Sequence, residues 1–312
     1  MKKILVLQDD RSEASVLIGQ SFFDELKKHK DFNCTFYGLG HNDIINNNDF
    51  DAALIDPWIT NRLKNQPNHE CWNLIRSLNC KKFALVCDYF YRQEEHNNLW
   101  ESIGVTDVLC LNDSAWTENN SFNWRFHYFP FSVNTDFFKD HKQEKVFDIV
   151  ISGGIQNNLY PMRYRMHKLL SEQNDIKYKY LRPTTSYEKN SVDPSMLDYS
   201  KSLNLSKICF TDGQHREVMV AKYSEIAASH SLIMSPKFKK SKDLDLFGFK
   251  EDENIFYISY SDSNEKIMDG LKKLLENQEK IDRMTLNSYN LVNARHTNKQ
   301  RVSNLYDLIT IC

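Results

Sequence analysis

Short apolar runs alternate along the chain with stretches whose apolar positions recur every three or four residues. Ile4, Leu5, Val6 and Leu7 form the first run, and over 14–28 the residues Val16, Leu17, Phe22, Phe23 and Leu26 take helical spacing. Strands are predicted around 34–37, 52–55, 83–87 and 107–111, with helices at about 69–78 and 93–102. A further short strand at 127–129 ends at Pro130. Continuous apolar strands separated by helices are what a parallel sheet covered on both faces requires. The stretch 136–145 is polar and charged and reads as a linker. Beyond it the alternation restarts, with strands at 147–152, 178–181, 208–210, 232–234 and 255–258 and helices at 161–172, about 215–229 and 263–276. The tail over 278–309 reads as one or two amphipathic helices. The expectation is α/β, with parallel-sheet domains over 1–140 and 141–285 facing a central cleft. The segment 286–312 is expected as a C-terminal helix packing back toward the first domain. Ligands of open α/β sheets bind at the carboxyl ends of the strands, so the cleft is where chemistry is expected.

Composition narrows the function classes. A length of 312 residues accommodates two domains, and 41% hydrophobic with 12% aromatic residues describes a globular chain rather than a disordered one. Lys and Arg total 40 against 42 Asp and Glu, a net charge of -2, which gives no electrostatic footprint for duplex nucleic acid. No stretch approaches the roughly 20 apolar residues of a membrane span, and the N-terminus turns acidic too early for a secretory signal, so a cytoplasmic location is expected. The 7 cysteines form no CxxC pair and no disulfide or zinc spacing, so no metal is expected. The asparagine runs at 46–48 and 119–120 read as turns. Neither GxGxxG nor GxxxxGK[ST] occurs, which removes the dinucleotide fingerprint and the P-loop.

Two motif readings compete. In the first half, Gln8-Asp9-Asp10 after the first strand and Asp56-Pro57 after the third resemble the acidic pair and phosphoacceptor of a response-regulator receiver. That site also needs a hydroxyl and a Lys at the ends of the next two strands. Cys87-Asp88 and Leu111-Asn112-Asp113 stand there instead, leaving a phosphoryl charge unneutralised. In the second half, Glu217 and Glu225 stand in E-x7-E spacing. Eight residues at about 100° each come to about 800°, about 80° past two full turns, so both carboxylates can border one cleft from a single helix. A carboxylate suits a ribose diol because it accepts from two adjacent hydroxyls. A helix N-terminus beside Arg216 suits a diphosphate. Two exposed glutamates at this interval also arise on ordinary solvated helices.

The wider second half separates these alternatives. The segment 128–138, with Tyr128-Phe129-Pro130 and Asp136-Phe137-Phe138, resembles the interdomain segment of group 1 glycosyltransferases of the GT-B fold. The strand 148–152 with Gly153-Gly154, followed by Tyr160-Pro161-Met162-Arg163, is similar to the opening of their donor domain. Leu203 to Ile208, the run Lys222-Tyr223-Ser224-Glu225-Ile226-Ala227-Ala228, and Arg295-His296-Thr297 followed by Arg301 resemble blocks of the CgeB-like branch. The resemblance spans about 125–310 and fades over the first 120 residues. Lys222 stands where that branch commonly has Arg, keeping the charge but losing bidentate geometry. His230 replaces a frequent Gly, and Glu217 follows His215-Arg216 where the branch has a different context.

The resemblance implies two Rossmann-like domains, the first binding an acceptor and the second a nucleotide-diphosphate sugar. It implies transfer of the sugar to an acceptor hydroxyl, metal-independent and retaining, with no cofactor beyond the donor. Gly153 and Gly154 would let the backbone approach the donor, Arg163, Arg216 and Lys222 would hold the diphosphate, and Glu225 the ribose. Glu217 would act at the sugar. Tyr199 and Tyr187 could stack on the base, although a core or surface role suits either tyrosine better. Asp88, at a strand end of the first domain, is the candidate for guiding the acceptor proton, with Asp9, Asp10 and Asp56 in comparable positions. His215 and His127 read better as satisfied structural histidines. The basic run over 236–245 could cover a phosphate or an anionic acceptor, and a lipid-linked acceptor would bring peripheral membrane contact. A nucleotide-sugar epimerase of the same fold and a catalytically silent sugar-nucleotide binder are the alternatives.

Overall fold

In the computed structural model, residues 1–9, 20–39, 41–42, 49–89, 93–112, 124–182 and 196–311 are described. Asp10, Tyr187, the start of the 14–28 helix and the asparagine turns at 46–48 and 119–120 lie outside them. The chain divides into two compact units. One is Met1–Phe131 with Asn298–Cys312, and the other is Ser132–Thr297.

Among the described residues, the first unit holds β1 (Lys2–Asp9), β2 (Phe32–Leu39), β3 (His41–Asn42), β4 (Ala52–Ile55), β5 (Lys81–Val86), β6 (Asp107–Cys110) and β7 (Arg125–Tyr128). They form one sheet in the order β3-β2-β1-β4-β5-β6-β7, parallel except for the antiparallel β3. Its helices are α1 (Gln20–Lys28), α2 (Pro57–Leu63), α3 (Glu70–Ser77) and α4 (Gln93–Ile103). Alternate residues of β1 enter opposite cores. Leu5 and Leu7 meet Ile59, Trp72 and Trp100 from α2, α3 and α4, while Ile4 and Val6 meet Phe22, Phe23 and Leu26 from α1. That double burial is why the strand reads as an unbroken apolar run. Each such side chain contributes about 1.5–3 kcal/mol. The short helix α2 was not predicted. Asp56 caps it, its Oδ1 accepting from Trp58 N at 3.2 Å, and Pro57 opens it.

The second unit holds β8 (Phe147–Ser152), β9 (Tyr178–Leu181), β10 (Ser206–Phe210), β11 (Leu232–Pro236) and β12 (Phe256–Ile258). All are parallel, in the order β12-β11-β10-β8-β9. Around them lie α5 (Pro161–Ser171), α6 (Met196–Asn204), α7 (Lys222–Ala228), α8 (Asp243–Phe247), α9 (Asn264–Leu275) and α10 (Gln278–Arg295). Val150, Cys209 and Ile233 pack on the α6–α7 side. Ile149, Ile151, Ile208 and Phe210 pack on Met162, Met166, Leu271 and Met284 from α5, α9 and α10. The stretch 136–145 belongs to this unit instead of standing between units. Lys145 Nζ donates to the carbonyls of Asn204 at 2.7 Å and His230 at 2.6 Å, and His141 Nε2 lies 2.9 Å from Ser200 Oγ. The last helix, α11 (Asn298–Ile311), returns to the first unit, where Val302, Leu305 and Ile309 join the α1 core. The second unit thus keeps the chain to Thr297, and only α11 makes the return expected of 286–312.

The helix expected over 215–229 is shorter. Gln214 and Glu217 have φ of 63° and 59°, left-handed values that no α-helix contains, and helical geometry starts only at Lys222. Strand order reverses between β1 and β4 in one sheet and between β8 and β10 in the other. These switch points open a crevice at the carboxyl ends of their strands.

Candidate functional site

The β8/β10 switch point is built around a glycine turn. Gly153 follows Ser152 with φ +96°, a conformation open to glycine. A Cβ there would lie 2.3 Å from Lys222 Cε and 2.8 Å from Arg163 Nη1, so a side chain at this position would have to displace the ends of both. Gly153 N donates to Leu181 O at 3.1 Å, and Gly153 O accepts from the Tyr180 hydroxyl at 2.9 Å. Gly154 O accepts from Arg163 Nη1 at 2.9 Å. The N–H groups of Gly154, Ile155 and Gln156 donate to no protein acceptor among the described residues.

Arg163 stands in the first turn of α5 and is only 1% exposed. Its Nη2 pairs with Asp212 Oδ1 at 2.9 Å and donates to Asp212 O at 3.2 Å, while its backbone N–H donates to Asp212 Oδ2 at 2.9 Å. Its guanidinium also lies 4.0 Å from the centroid of the Tyr160 ring. The guanidinium thus ties the β8 turn to the end of β10, at the place where a diphosphate contact is expected, and its buried Nε has no hydrogen-bond partner among the described residues. Burial pushes the Asp212 carboxyl up and Arg163 pulls it back.

Lys222 and Glu225 lie one turn apart on α7, on the same face. The Lys222 ammonium makes no hydrogen bond or ion pair with protein among the described residues, and it sits 5.7 Å from the centroid of the Tyr199 ring. Burial lowers its pKa, Glu225 opposes that shift, and Arg163 adds to it. Burial raises the pKa of Glu225, and Lys222 and the hydrogen-bonding pull of Tyr199 lower it. Glu225 Oε2 is buried without a hydrogen-bond partner. Tyr199 is 7% exposed, and its hydroxyl bonds to Ser152 Oγ. The Tyr199 ring thus lies in the interior beside Lys222, in keeping with the core role weighed for it against base stacking.

Gly153, Gly154, Arg163, Tyr199, Lys222 and Glu225 thus converge, while Arg216 and Glu217 belong to the turn before α7. Arg216 is exposed there. Glu217 turns its carboxylate to the following loop, Oε2 accepting from the backbone N–H of Lys239 and from that of Lys240 at 3.1 Å. The expected pairing of Glu217 and Glu225 on one helix is absent because the left-handed residues interrupt it. In the first unit Asp88 follows β5 with φ 54°, and its Oδ1 accepts from Asn112 Nδ2 at 3.4 Å. Burial raises its pKa, and Asn112 opposes the rise. His127 pairs with Asp107 at 2.7 Å, the structural role expected of it. Ser152, Tyr180 and Asp212 escaped the sequence reading. The signal for Asp212 was its position beside Gly213 at a strand end; nothing local marked Tyr180. Among the described residues, no group of three or more His, Cys, Asp or Glu side chains could hold a metal ion. No helix among them is long and apolar enough to cross a membrane.

No family model matches the chain, and no curated protein matches it by sequence. Solved structures do resemble it. HepE from Anabaena, in complex with UDP-glucose, superposes with a TM-score of 0.69 at 8% identity over 100% of both chains. Sucrose-phosphate synthase from Thermosynechococcus elongatus gives 0.64 at 10% identity, covering 99% of this chain and 98% of that one. A glycosyltransferase from Rickettsia africae ESF-5 gives 0.62 at 9%, covering 99% and 98%. The fold is GT-B. Each of the two Rossmann-like sheets of this GT-B chain offers its own switch-point crevice, at β1/β4 and at β8/β10.

Proposed function

We propose that the protein is a glycosyltransferase of the CgeB-like branch of group 1, moving a sugar from a nucleotide-diphosphate donor to an acceptor hydroxyl. The observation that carries this reading is the Lys222 ammonium, which pairs with no protein group among the described residues, beside a glycine turn whose Gly154, Ile155 and Gln156 N–H groups also lack acceptors among them. Cation and amides together suit a diphosphate, and they would take up the charge that grows on it as the glycosidic bond breaks. Glu225 lies one helical turn away and would accept from the ribose hydroxyls. Arg163 and Asp212 would hold the turn in place, and Glu217 would fix the 239–240 loop through its backbone. Transfer would proceed with retention and without a metal, and Asp88 would guide the acceptor proton in the first unit. UDP-glucose in the complex of HepE and UDP in that of pneumococcal GtfA agree in kind with such a donor.

The test is a thermal-shift series with UDP, GDP, CDP, dTDP, ADP and their common sugar conjugates. Occupancy at 100 times Kd should stabilise the protein by about 2.7 kcal/mol. Glu225→Ala should weaken the responding nucleotide by about 1–3 kcal/mol. Acceptor-dependent nucleotide release would identify a transferase, whereas binding without it would leave an epimerase or a silent binder. No response to any of the nucleotides or conjugates would sink the donor site.

A further inference from the structure

We propose that Tyr180 is a positioning residue for the phosphate-binding turn: its hydroxyl fixes the peptide between Gly153 and Gly154 with the N–H available to an anion. The inference rests on the donor-site reading above. Tyr180 lies on β9, at the edge of the second sheet, and its ring packs on His167 at 5.0 Å between centroids. The partner of that packing is itself fixed, because His167 Nδ1 lies 2.6 Å from the Tyr178 hydroxyl. The Tyr180 hydroxyl donates to Gly153 O at 2.9 Å, and Leu181 O accepts from Gly153 N at 3.1 Å. One short strand thus grips both backbone polar groups of Gly153.

The geometry of the peptide unit carries the rest. All described peptide bonds are trans, so the carbonyl of Gly153 and the N–H of Gly154 lie in one plane and point in opposite directions across the C–N bond. Holding the carbonyl toward Tyr180 turns the N–H away from β9. A peptide flanked by two glycines has no Cβ on either side to resist a flip. A flipped plane would present a carbonyl oxygen, which repels phosphate, where the N–H now stands. The tyrosine hydroxyl favours one of these two states without touching ligand. Burial raises the pKa of Tyr180, keeping the hydroxyl protonated and able to donate.

Isothermal titration of the native chain and Tyr180→Phe with UDP, GDP, CDP, dTDP and ADP, and with the matching nucleosides, tests this. Phe keeps the ring on His167 and removes only the donor. The expected result is a loss of about three- to tenfold in affinity for the nucleoside diphosphate, with affinity for its nucleoside unchanged. Equal diphosphate affinity in the two proteins overturns the role of Tyr180 and leaves the donor site standing. Equal losses for nucleoside and diphosphate also overturn it, because they mark a general loosening, which the melting temperature of the unliganded variant would show as well. If the native chain binds none of the five diphosphates, the donor-site reading falls and Tyr180 falls with it.

Discussion

Where β1 and β4 diverge in the first sheet, the chain places two carboxylates, Asp9 and Asp56, both fully buried. Where β8 and β10 diverge in the second, it places a glycine turn, a buried Arg163–Asp212 pair and the ammonium of Lys222, which, like the turn's amides, has no protein partner among the described residues. In the first, Asp9 N donates to Asp56 Oδ2 at 3.3 Å and Arg62 Nε pairs with Asp9 at 2.6 Å. Burial pushes Asp56 up to about 7, with the negative charge of Asp9 adding to the shift. The layers are the same, parallel strands under helices, yet a phosphate arriving at the first crevice would meet carboxylates and at the second would meet N–H groups and a cation. Topology fixes where a ligand can enter, and side chains at the strand ends decide which charge is admitted.

The largest expected effect attacks the second crevice. Gly153→Ala puts a methyl group against Lys222 in a left-handed backbone, which should destabilise the protein by about 1–3 kcal/mol and abolish its nucleotide response. Thermal melts with and without nucleotide would show both losses; an intact response would mean that the turn is not the anion site. Asp88→Asn probes the opposite sheet. It should leave donor affinity unchanged and lower acceptor-dependent turnover by about a hundredfold. Turnover at the native rate would remove Asp88 from the reaction, and a weakened donor would blur the division of labour between the units.

The smallest effect concerns pH. A carboxyl whose native pKa lies near 7, above its unfolded value, binds more protons folded than unfolded between about 4 and 7. Its contribution to stability therefore falls as pH rises through that window. Asn is a competent helix cap, so Asp56→Asn should keep α2 and remove this slope. The melting temperature of the native chain relative to Asp56→Asn should drop by a few degrees, order of magnitude, between pH 5 and pH 7. Parallel curves would show that Asp56 does not carry a raised pKa.

The strands were legible because double burial writes them as unbroken apolar runs, as with Ile4 to Leu7 and Phe147 to Ser152. The Gly153-Gly154 turn and the α7 pair Lys222 and Glu225 were legible through their resemblance to donor-domain blocks. The start of α7 was misread because Val218 and Met219 imitate helical spacing, although both are buried in irregular chain. The contacts that hold the site were not legible, since they join distant positions. Arg163 meets Asp212 49 residues on, Ser152 meets Tyr199 47 on, and Gly153 meets Tyr180 27 on. Tyr199 shows the same limit, because sequence does not tell an interior ring from a stacking surface.

The return of α11 has a consequence for the order of events during synthesis. The second unit is one continuous stretch, Ser132–Thr297, whereas the first is assembled from pieces on either side of it. Val133 N donates to His296 O at 3.0 Å, and Val133 bridges Thr297, so the chain enters and leaves the second unit at one place. As translation proceeds, the later-made unit can close its core while the earlier-made one still waits. Phe22, Phe23 and Leu26 gain their cover from Val302, Leu305 and Ile309 only when the last helix leaves the ribosome. Until then the nascent first sheet carries an open greasy face, a natural client for chaperones.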